Sequence, residues 1–453
     1  MIEFLFKIFE EHKEDDAIIW QDKVFRYGWL LKQVDYWRRF IQSRAIPAGA
    51  VTALEADFSP NSVALFLALV EHRCVLVPLT GSVEAKKPEF MEIAEVELSF
   101  RFDGRDDMTL TRRDCIAEHP YYRQMRQLDH AGLVLFSSGS TGKSKAAVHD
   151  LTGLLEKFKA RRKTLRTITF LLYDHIGGVN TMLYTLSNNG CIITVPERSP
   201  DGVLGAVEKT KAELLPASPT FVNLILLSEA YKRHDLSSLK TITYGTEPMP
   251  EGTLKRFHEL FPGITMQQTY GLSEVGILRS KSKNSESLWV KVGGEGYETR
   301  VVDGILQIKA KSAMLGYLNA PSPFTEDGWF NTGDSVEVDG EYIKILGRKS
   351  EMINVGGEKV YPAEVESVIL EIEDVAEATV YGEKNPITGN IVCAIVRLVE
   401  GASPQGFPAR LKQYCRNRLQ NYMVPIKVVV SQEHQHNERF KKMRTQFTQK
   451  ESR

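Results

Sequence analysis

The chain has 453 residues, 42% of them hydrophobic and 25% charged, enough for two or more domains with ample core. A formal net charge of −1 leaves no global field to recruit nucleic acid or an anionic membrane, and no apolar run approaches membrane-spanning length. Five cysteines (Cys74, Cys115, Cys191, Cys393 and Cys415) without CxxC spacing argue against a disulfide framework or a zinc site.

The amino terminus, Met1 to Glu10, carries acid early among its apolar residues and does not read as a signal peptide, so the expected compartment is the cytoplasm. Ser62 to Val70 predicts a buried helix and Cys74 to Pro78 a strand. Leu133 to Phe136 predicts another strand, which runs directly into Ser137-Ser-Gly-Ser-Thr-Gly-Lys-Ser-Lys145. That loop suits a polyphosphate: glycines let backbone N–H groups approach phosphate oxygens, hydroxyls add donors and lysines supply countercharge. A Walker loop does not fit, because the glycine it needs ahead of Lys143 is Ser137. Cys191 to Val195 is a further strand, and the alternation of strands with helices predicts parallel sheets covered by helices. Beyond Gly340 the pattern changes. Glu341 to Leu346 reads as a strand, Glu364 to Glu371 as a short helix, and Val375 to Tyr381 and Ile391 to Val399 as strands of a compact α+β unit. The basic runs Lys157 to Arg166 and Arg439 to Arg444 are expected to be solvated faces.

Four segments follow the loop in fixed order: Tyr244-Gly-Thr-Glu-Pro248, Gln268-Thr-Tyr-Gly-Leu-Ser-Glu274, Asn331-Thr-Gly-Asp334, and Gly347-Arg-Lys-Ser continuing through Gly356-Gly-Glu-Lys359 to Glu366. With the early Phe25-Arg-Tyr-Gly-Trp-Leu30, this series resembles the adenylate-forming superfamily of acyl- and aryl-CoA synthetases, peptide-synthetase adenylation domains and luciferase. The resemblance runs almost to the C-terminus. It implies an α/β fold, with a large N-terminal domain of helix-covered, mostly parallel sheets at 1–347 and a small mobile α+β lid at 348–453, hinged near Ser350.

The resemblance also implies roles. Ser138, Gly139, Ser140, Thr141, Gly142 and Lys145 are expected to surround the ATP phosphates. Gly245 and Glu247 would line the adenine pocket and Tyr270 would stack on the base, a task for a flat amphipathic ring. Ser273 lies in the same cofactor-binding run. Glu274 would ligate Mg²⁺, a hard cation that prefers carboxylate oxygen. Asp334 and Arg348 would hold the ribose, one accepting from its hydroxyls and the other offering a planar fork of donors. Gly356 and Gly357 would approach the acceptor thiol after the lid turns.

Several positions depart from the family pattern. Ser144 replaces the proline that usually precedes Lys145, Phe440 replaces the glycine before the expected catalytic lysine, and Ser350 replaces the hinge aspartate or lysine. Lys441 is the candidate for that lysine, with Lys442 beside it. In Leu171-Leu-Tyr-Asp-His-Ile-Gly-Gly178, His175 aligns with the residue that gates the substrate carboxylate, and Ile176 stands where amino-acid activators carry aspartate, with Asp174 an alternative in a shifted register. Ser218, Pro219, Thr220 and Asn223 could line the acyl pocket or simply begin a helix.

The function implied is ATP- and Mg²⁺-dependent activation of a small or medium carboxylic acid, aryl or aliphatic and not α-amino, to an acyl-adenylate. Transfer to the phosphopantetheine thiol of CoA would follow. An acyl carrier protein as acceptor is one alternative, and a nucleotide-binding pseudoenzyme is another.

Overall fold

A computed structural model describes residues 1–138, 144–437, 440 and 442. Up to Arg348, three large sheets and the small hairpin Gly271–Leu272 with Gly276–Ile277 carry the chain. The first has seven strands in the spatial order Thr265–Gln268, Thr241–Tyr244, Leu214–Ala217, Arg166–Ile168, Cys191–Ile193, Asp16–Trp20 and Lys23–Arg26, all parallel except the last hairpin. The second, also of seven strands, runs Gly316–Tyr317, Ser144–Asp150, Gly132–Ser138, Val75–Leu79, Val51–Glu55, Leu98–Phe102 and Met108–Arg112. Its four middle strands are parallel, while the two flanking strands on one side and the one on the other run antiparallel.

The helices explain themselves locally. Pro60–Glu71 starts at Ser59 with a reciprocal capping box to Ser62, has proline in its first turn, and buries Val63 through Val70 on all sides, as a helix between two sheets must. Its core also takes in Leu5 and Phe9 of the first helix, Glu3–Glu11, together with Leu76, Phe100, Leu133 and Ile192 from the strands. At the carboxyl ends of strands from both sheets a cavity of about 260 Å³ opens among Trp20, Asp57, Phe58, Phe102, Thr169 and Arg198. Such ends leave crevices because the chain departs from them in loops. Burial there raises the Asp57 carboxyl above its usual range, partly offset by Arg198.

The third sheet is antiparallel throughout: Arg279–Ser282, Trp289–Gly293, Tyr342–Arg348, Phe330–Asp339, Ile305–Ala310 and Tyr297–Val302. It is an addition to the parallel architecture read from the sequence. Past Arg348 a short 3₁₀ turn, Lys349–Glu351, carries the exposed Ser350 and leads to the smaller C-terminal unit. There the hairpin Ile353–Val355 and Glu358–Val360 and the helices Pro362–Ile369 and Phe407–Arg416 pack on a sheet of Val375–Asn385, Gly389–Leu398 and Lys427–Val430. This matches the α/β body and smaller α+β unit expected. No described helix is long and apolar enough to cross a membrane.

The basic run after Lys157 is the solvated face expected, with Lys159, Arg161, Arg162 and Lys163 exposed, but Lys157 departs from it. Lys157 is half-buried with its ammonium 2.9 Å from the Ile277 carbonyl, and desolvation with Arg162 and Arg279 nearby lowers its pKa to about 7.

Candidate active site

The strand Gly132–Ser138 pairs antiparallel with Ser144–Asp150, Ser137 opposite Lys145 and Ser138 opposite Ser144. Gly139, Ser140, Thr141, Gly142 and Lys143, which connect them, lie outside the described residues. The second strand therefore presents Lys145 and His149 on one face, because alternate side chains of a strand share a side. The Lys145 ammonium lies 5.2 Å from the centre of the Tyr317 ring. The Tyr317 hydroxyl donates to Glu274 Oε1 at 2.7 Å, so one tyrosine joins the lysine expected at phosphate to the carboxylate expected at Mg²⁺.

Glu274 is 8% exposed, and among the described residues no donor reaches its second oxygen, Oε2. A hard carboxylate oxygen of this kind fits Mg²⁺, which keeps several waters and takes one or two carboxylates. The backbone around it is fixed on both sides: the Glu274 carbonyl accepts from Met314 N at 2.7 Å, and the Ser273 carbonyl lies 2.5 Å from His149 Nε2. His149 is fully buried, and desolvation lowers its pKa to about 4, so it holds Ser273 as a neutral ring. Asn319 clamps the base of the loop, donating to the Ser144 carbonyl at 2.9 Å and accepting from Ala146 N at 3.0 Å.

A second cluster sits on the antiparallel sheet. Asp334 and Arg348 are direct cross-strand partners, and Arg348 Nε lies 3.0 Å from Asp334 Oδ1. The Tyr270 hydroxyl donates to Asp334 Oδ2 at 2.5 Å, while Arg348 also donates to the Thr332 carbonyl. Tyr270 is only 6% exposed and packs with Leu278, Val290 and Phe330; burial and the neighbouring Asp334 carboxylate push its hydroxyl well above the usual tyrosine range. Gly245 comes close to this cluster through backbone. A Cβ there would lie 2.7 Å from the Thr269 carbonyl, so only glycine lets the loop after Thr241–Tyr244 meet the chain entering Tyr270.

The remaining sequence candidates lie elsewhere. Glu247 is engaged at both oxygens: Oε1 accepts from the backbone N and hydroxyl of Thr220, and Oε2 from Lys442 N at 3.3 Å. It thus joins the first turn of helix Pro219–Ser228 to the C-terminal segment. Ser218 caps that helix, accepting from Phe221 N at 3.1 Å, and Asn223 donates to the Ala376 carbonyl at 3.2 Å. The helix-start reading accounts for Ser218, while Thr220 and Asn223 face the C-terminal unit. Lys442 points its ammonium at Glu366 Oε2, 2.8 Å away; Glu366 is almost fully buried on helix Pro362–Ile369. Lys441 lies outside the described residues.

His175 caps helix Ile176–Ser187, its Nδ1 accepting from Gly177 N at 3.0 Å. Ile176 is 2% exposed within the main core, and Asp174 Oδ2 accepts from Thr80 Oγ1 at 2.6 Å and Ser82 Oγ at 3.2 Å. Gly356 and Gly357 form the turn of the hairpin at the start of the C-terminal unit. Both have positive φ, and Gly357 N donates to Asn354 Oδ1. A Cβ on either would meet nothing within 4 Å, so this turn is not brought to the clusters above.

Comparison with known proteins gives the family and the fold. The family described as AMP-binding enzyme matches residues 5–304, and the AMP-binding enzyme C-terminal domain matches residues 364–441. An indoleacetate–CoA ligase of Aromatoleum aromaticum is 28% identical over 408 residues, covering 80% of this chain and 78% of its own length. A feruloyl-CoA synthase of an Amycolatopsis species is 29% identical over 332 residues, covering 66% of each protein. Among solved structures, an anthranilate CoA ligase in complex with anthranoyl-AMP superposes with a TM-score of 0.82 at 19% identity, over 100% of this chain and 96% of that one. At that identity the superposition speaks for the fold.

Proposed function

This chain belongs to the AMP-binding enzyme family, and from that premise we propose that it is an acid–thiol ligase that activates a carboxylic acid with ATP and passes the acyl group to the thiol of CoA. The carrying observation is the convergence of two clusters on neighbouring elements: Lys145, Tyr317 and Glu274 on one side, Tyr270, Asp334 and Arg348 on the other. Cation, carboxylate and guanidinium in this combination match a nucleotide triphosphate with its ribose.

In the first half-reaction the acid's carboxylate attacks the α-phosphorus of ATP, the bond to the β-phosphate oxygen breaks, and pyrophosphate leaves. An anion attacks an anion, so positioning and countercharge do most of the catalysis. Lys145 supplies countercharge to the phosphates, and the loop residues Ser138 to Gly142 supply hydrogen-bond donors. Glu274 would hold Mg²⁺, which would supply further charge neutralisation to the phosphates. Asp334 accepts from the ribose hydroxyls, Arg348 fixes that carboxylate, and Lys441 reaches the reacting oxygens from the lid. His175 stands at the carboxylate end of the acyl pocket. In the second half-reaction a thiol attacks the mixed anhydride's carbonyl, the thioester forms and AMP departs. Gly356 and Gly357 lie near that thiol once the lid has turned about Ser350.

The acid is small or medium, aryl or alkyl, without an α-ammonium. Ile176 provides no countercharge from within the core, and the Asp174 carboxylate is already tied to Thr80 and Ser82. An ammonium buried beside Ile176 would lose hydration without a partner, at a cost of several kcal/mol.

Acid-dependent pyrophosphate exchange with an aryl acid, a medium-chain fatty acid and their matched α-amino acids tests the first step. Thioester detection with CoA and with a phosphopantetheinylated carrier protein tests the second. Exchange with the plain acids and thioester on CoA are expected. Selective turnover of the amino acids, or thioester on the carrier protein alone, would overturn the corresponding part of the reading.

A further inference from the structure

Away from the nucleotide clusters, on the C-terminal unit, two imidazoles converge on one buried carboxylate. Glu377 is 7% exposed and sits where the ladder between Val375–Asn385 and Gly389–Leu398 shifts register, opposite Arg397. His434 Nδ1 lies 3.1 Å from its Oε1 and His436 Nδ1 lies 2.9 Å from its Oε2, while Gln435 N donates to Oε2 at 2.8 Å. The His-x-His spacing is the cause. Gln435 is a bend between them, so a segment pinned by its middle N–H wraps both flanking rings onto the carboxylate. His436 stacks on Phe440, with ring centres 5.3 Å apart, and the His434 side chain is 67% exposed.

We propose that Glu377, His434 and His436 form a binding site for a divalent transition-metal ion, with Zn²⁺ the best match. The three donor atoms lie within 4.8 Å of one another. Zinc bonds to nitrogen and oxygen of about 2.0–2.2 Å at tetrahedral angles put neighbouring donors about 3.3–3.5 Å apart. The contacts of 2.9 and 3.1 Å, one to each carboxylate oxygen, fall within a few tenths of an ångström of that spacing. Two imidazoles with one carboxylate favour zinc over Mg²⁺ or Ca²⁺, which want oxygen shells, and water can complete the set on the side of the exposed His434 ring. Coordination through Nδ1 places each ring's remaining proton on Nε2, leaving neutral ligands. Arg397, 2.6 Å from Oε1, orients the carboxylate from behind and tempers the affinity.

The ion would fasten the segment 434–436 to the strand Val375–Asn385. From that segment the chain continues to Phe440, packed on Phe170 and Phe221, and to Lys442 beside Glu247. The site therefore lies where the C-terminal unit meets the N-terminal domain, and it does not depend on the ligase reading.

The test is a Zn²⁺ titration of the chelator-treated full-length protein against a chromophoric competitor, with Co²⁺ substitution to report geometry. One ion per chain and visible absorption of tetrahedral Co²⁺ are expected. His436→Ala and Glu377→Gln should each weaken binding at least tenfold. Because those two changes touch buried packing, His434→Ala is the decisive variant: its ring is exposed, so it should keep the wild-type melting temperature without zinc and still lose at least tenfold in affinity. Absence of a stoichiometric ion, unchanged affinity in His434→Ala, or Co²⁺ absorption characteristic of thiolate ligation would each overturn the site.

Discussion

The Tyr317 hydroxyl donates to Glu274 at 2.7 Å while its ring lies 5.2 Å beneath the Lys145 ammonium. A single side chain on the short edge strand Gly316–Tyr317 thereby sets the spacing of the lysine expected at phosphate and the carboxylate expected at Mg²⁺. Tyr317→Phe keeps the ring and removes the hydroxyl. A hydrogen bond to a charged partner contributes about 1.5–3 kcal/mol, so pyrophosphate exchange should fall roughly 10- to 100-fold. The Mg²⁺ dependence should shift with it. Wild-type exchange at every Mg²⁺ concentration would show that the tyrosine only packs.

Asp334 receives Tyr270 on one oxygen and Arg348 on the other. Asp334→Asn retains size but weakens both contacts and the proposed grip on the ribose. The expected result is a rise of about tenfold or more in KM for ATP with a smaller change in KM for the acid, the size of one charge-assisted contact. Equal rises in both would point to general loosening.

Lys441 and Lys442 should separate by the kind of damage they do. Lys442 is paired with a buried Glu366, so Lys442→Ala leaves a carboxylate without its cation, a loss of about 3–5 kcal/mol where the remaining charge stays buried. Its melting temperature should drop. Lys441→Ala should leave the melting temperature unchanged and depress adenylate formation on the order of 10²-fold, with far less effect on thioester formation from supplied acyl-adenylate. Robust adenylation in Lys441→Ala would remove that residue from the chemistry.

Lys157 gives a pH signature. Its folded-state pKa of about 7 lies below the ordinary lysine value of 10.5, so between those limits the unfolded chain binds the extra proton. Stability should therefore rise with pH across that window, by at most about 1.4 kcal/mol per unit. Lys157→Met should flatten the rise and be the more stable protein at pH 7. Denaturant titrations of both proteins between pH 6.5 and pH 9.5 would decide it, and parallel slopes would mean that the ammonium stays charged in the fold.

The parallel sheets were readable because buried strands such as Val75–Leu79 are continuous apolar runs flanked by helical patterns. The antiparallel sheet was harder to see. Tyr297–Val302 and Arg279–Ser282 are mostly exposed or half-exposed and mix charge with apolar residues, so neither carries a clean period of two. The site divides in the same way. Glu274, Asp334 and Arg348 stood in ordered motifs, whereas Tyr317, Asn319 and His149 act through partners 43, 175 and 124 residues away, a separation no local pattern encodes. The strand glycine at Gly316 answers to a side chain from another element, since a Cβ there would collide with the Tyr121 hydroxyl. Glu247 shows the converse: its motif position suggested the base, but its immediate neighbours are Thr220 and Lys442.

Arg348 is the last residue of Tyr342–Arg348, and the turn Lys349–Glu351 begins at the next peptide bond. The guanidinium that fixes Asp334 is thus mounted on the axle of any swing the C-terminal unit makes. A ligand gripping that pair would stiffen the pivot, and a pivot moved far from this position would loosen the pair. Occupancy of the ribose position and orientation of the C-terminal unit become two readings of one dial, so a fluorescence distance probe spanning the turn should respond to nucleotide alone, before any acid is added.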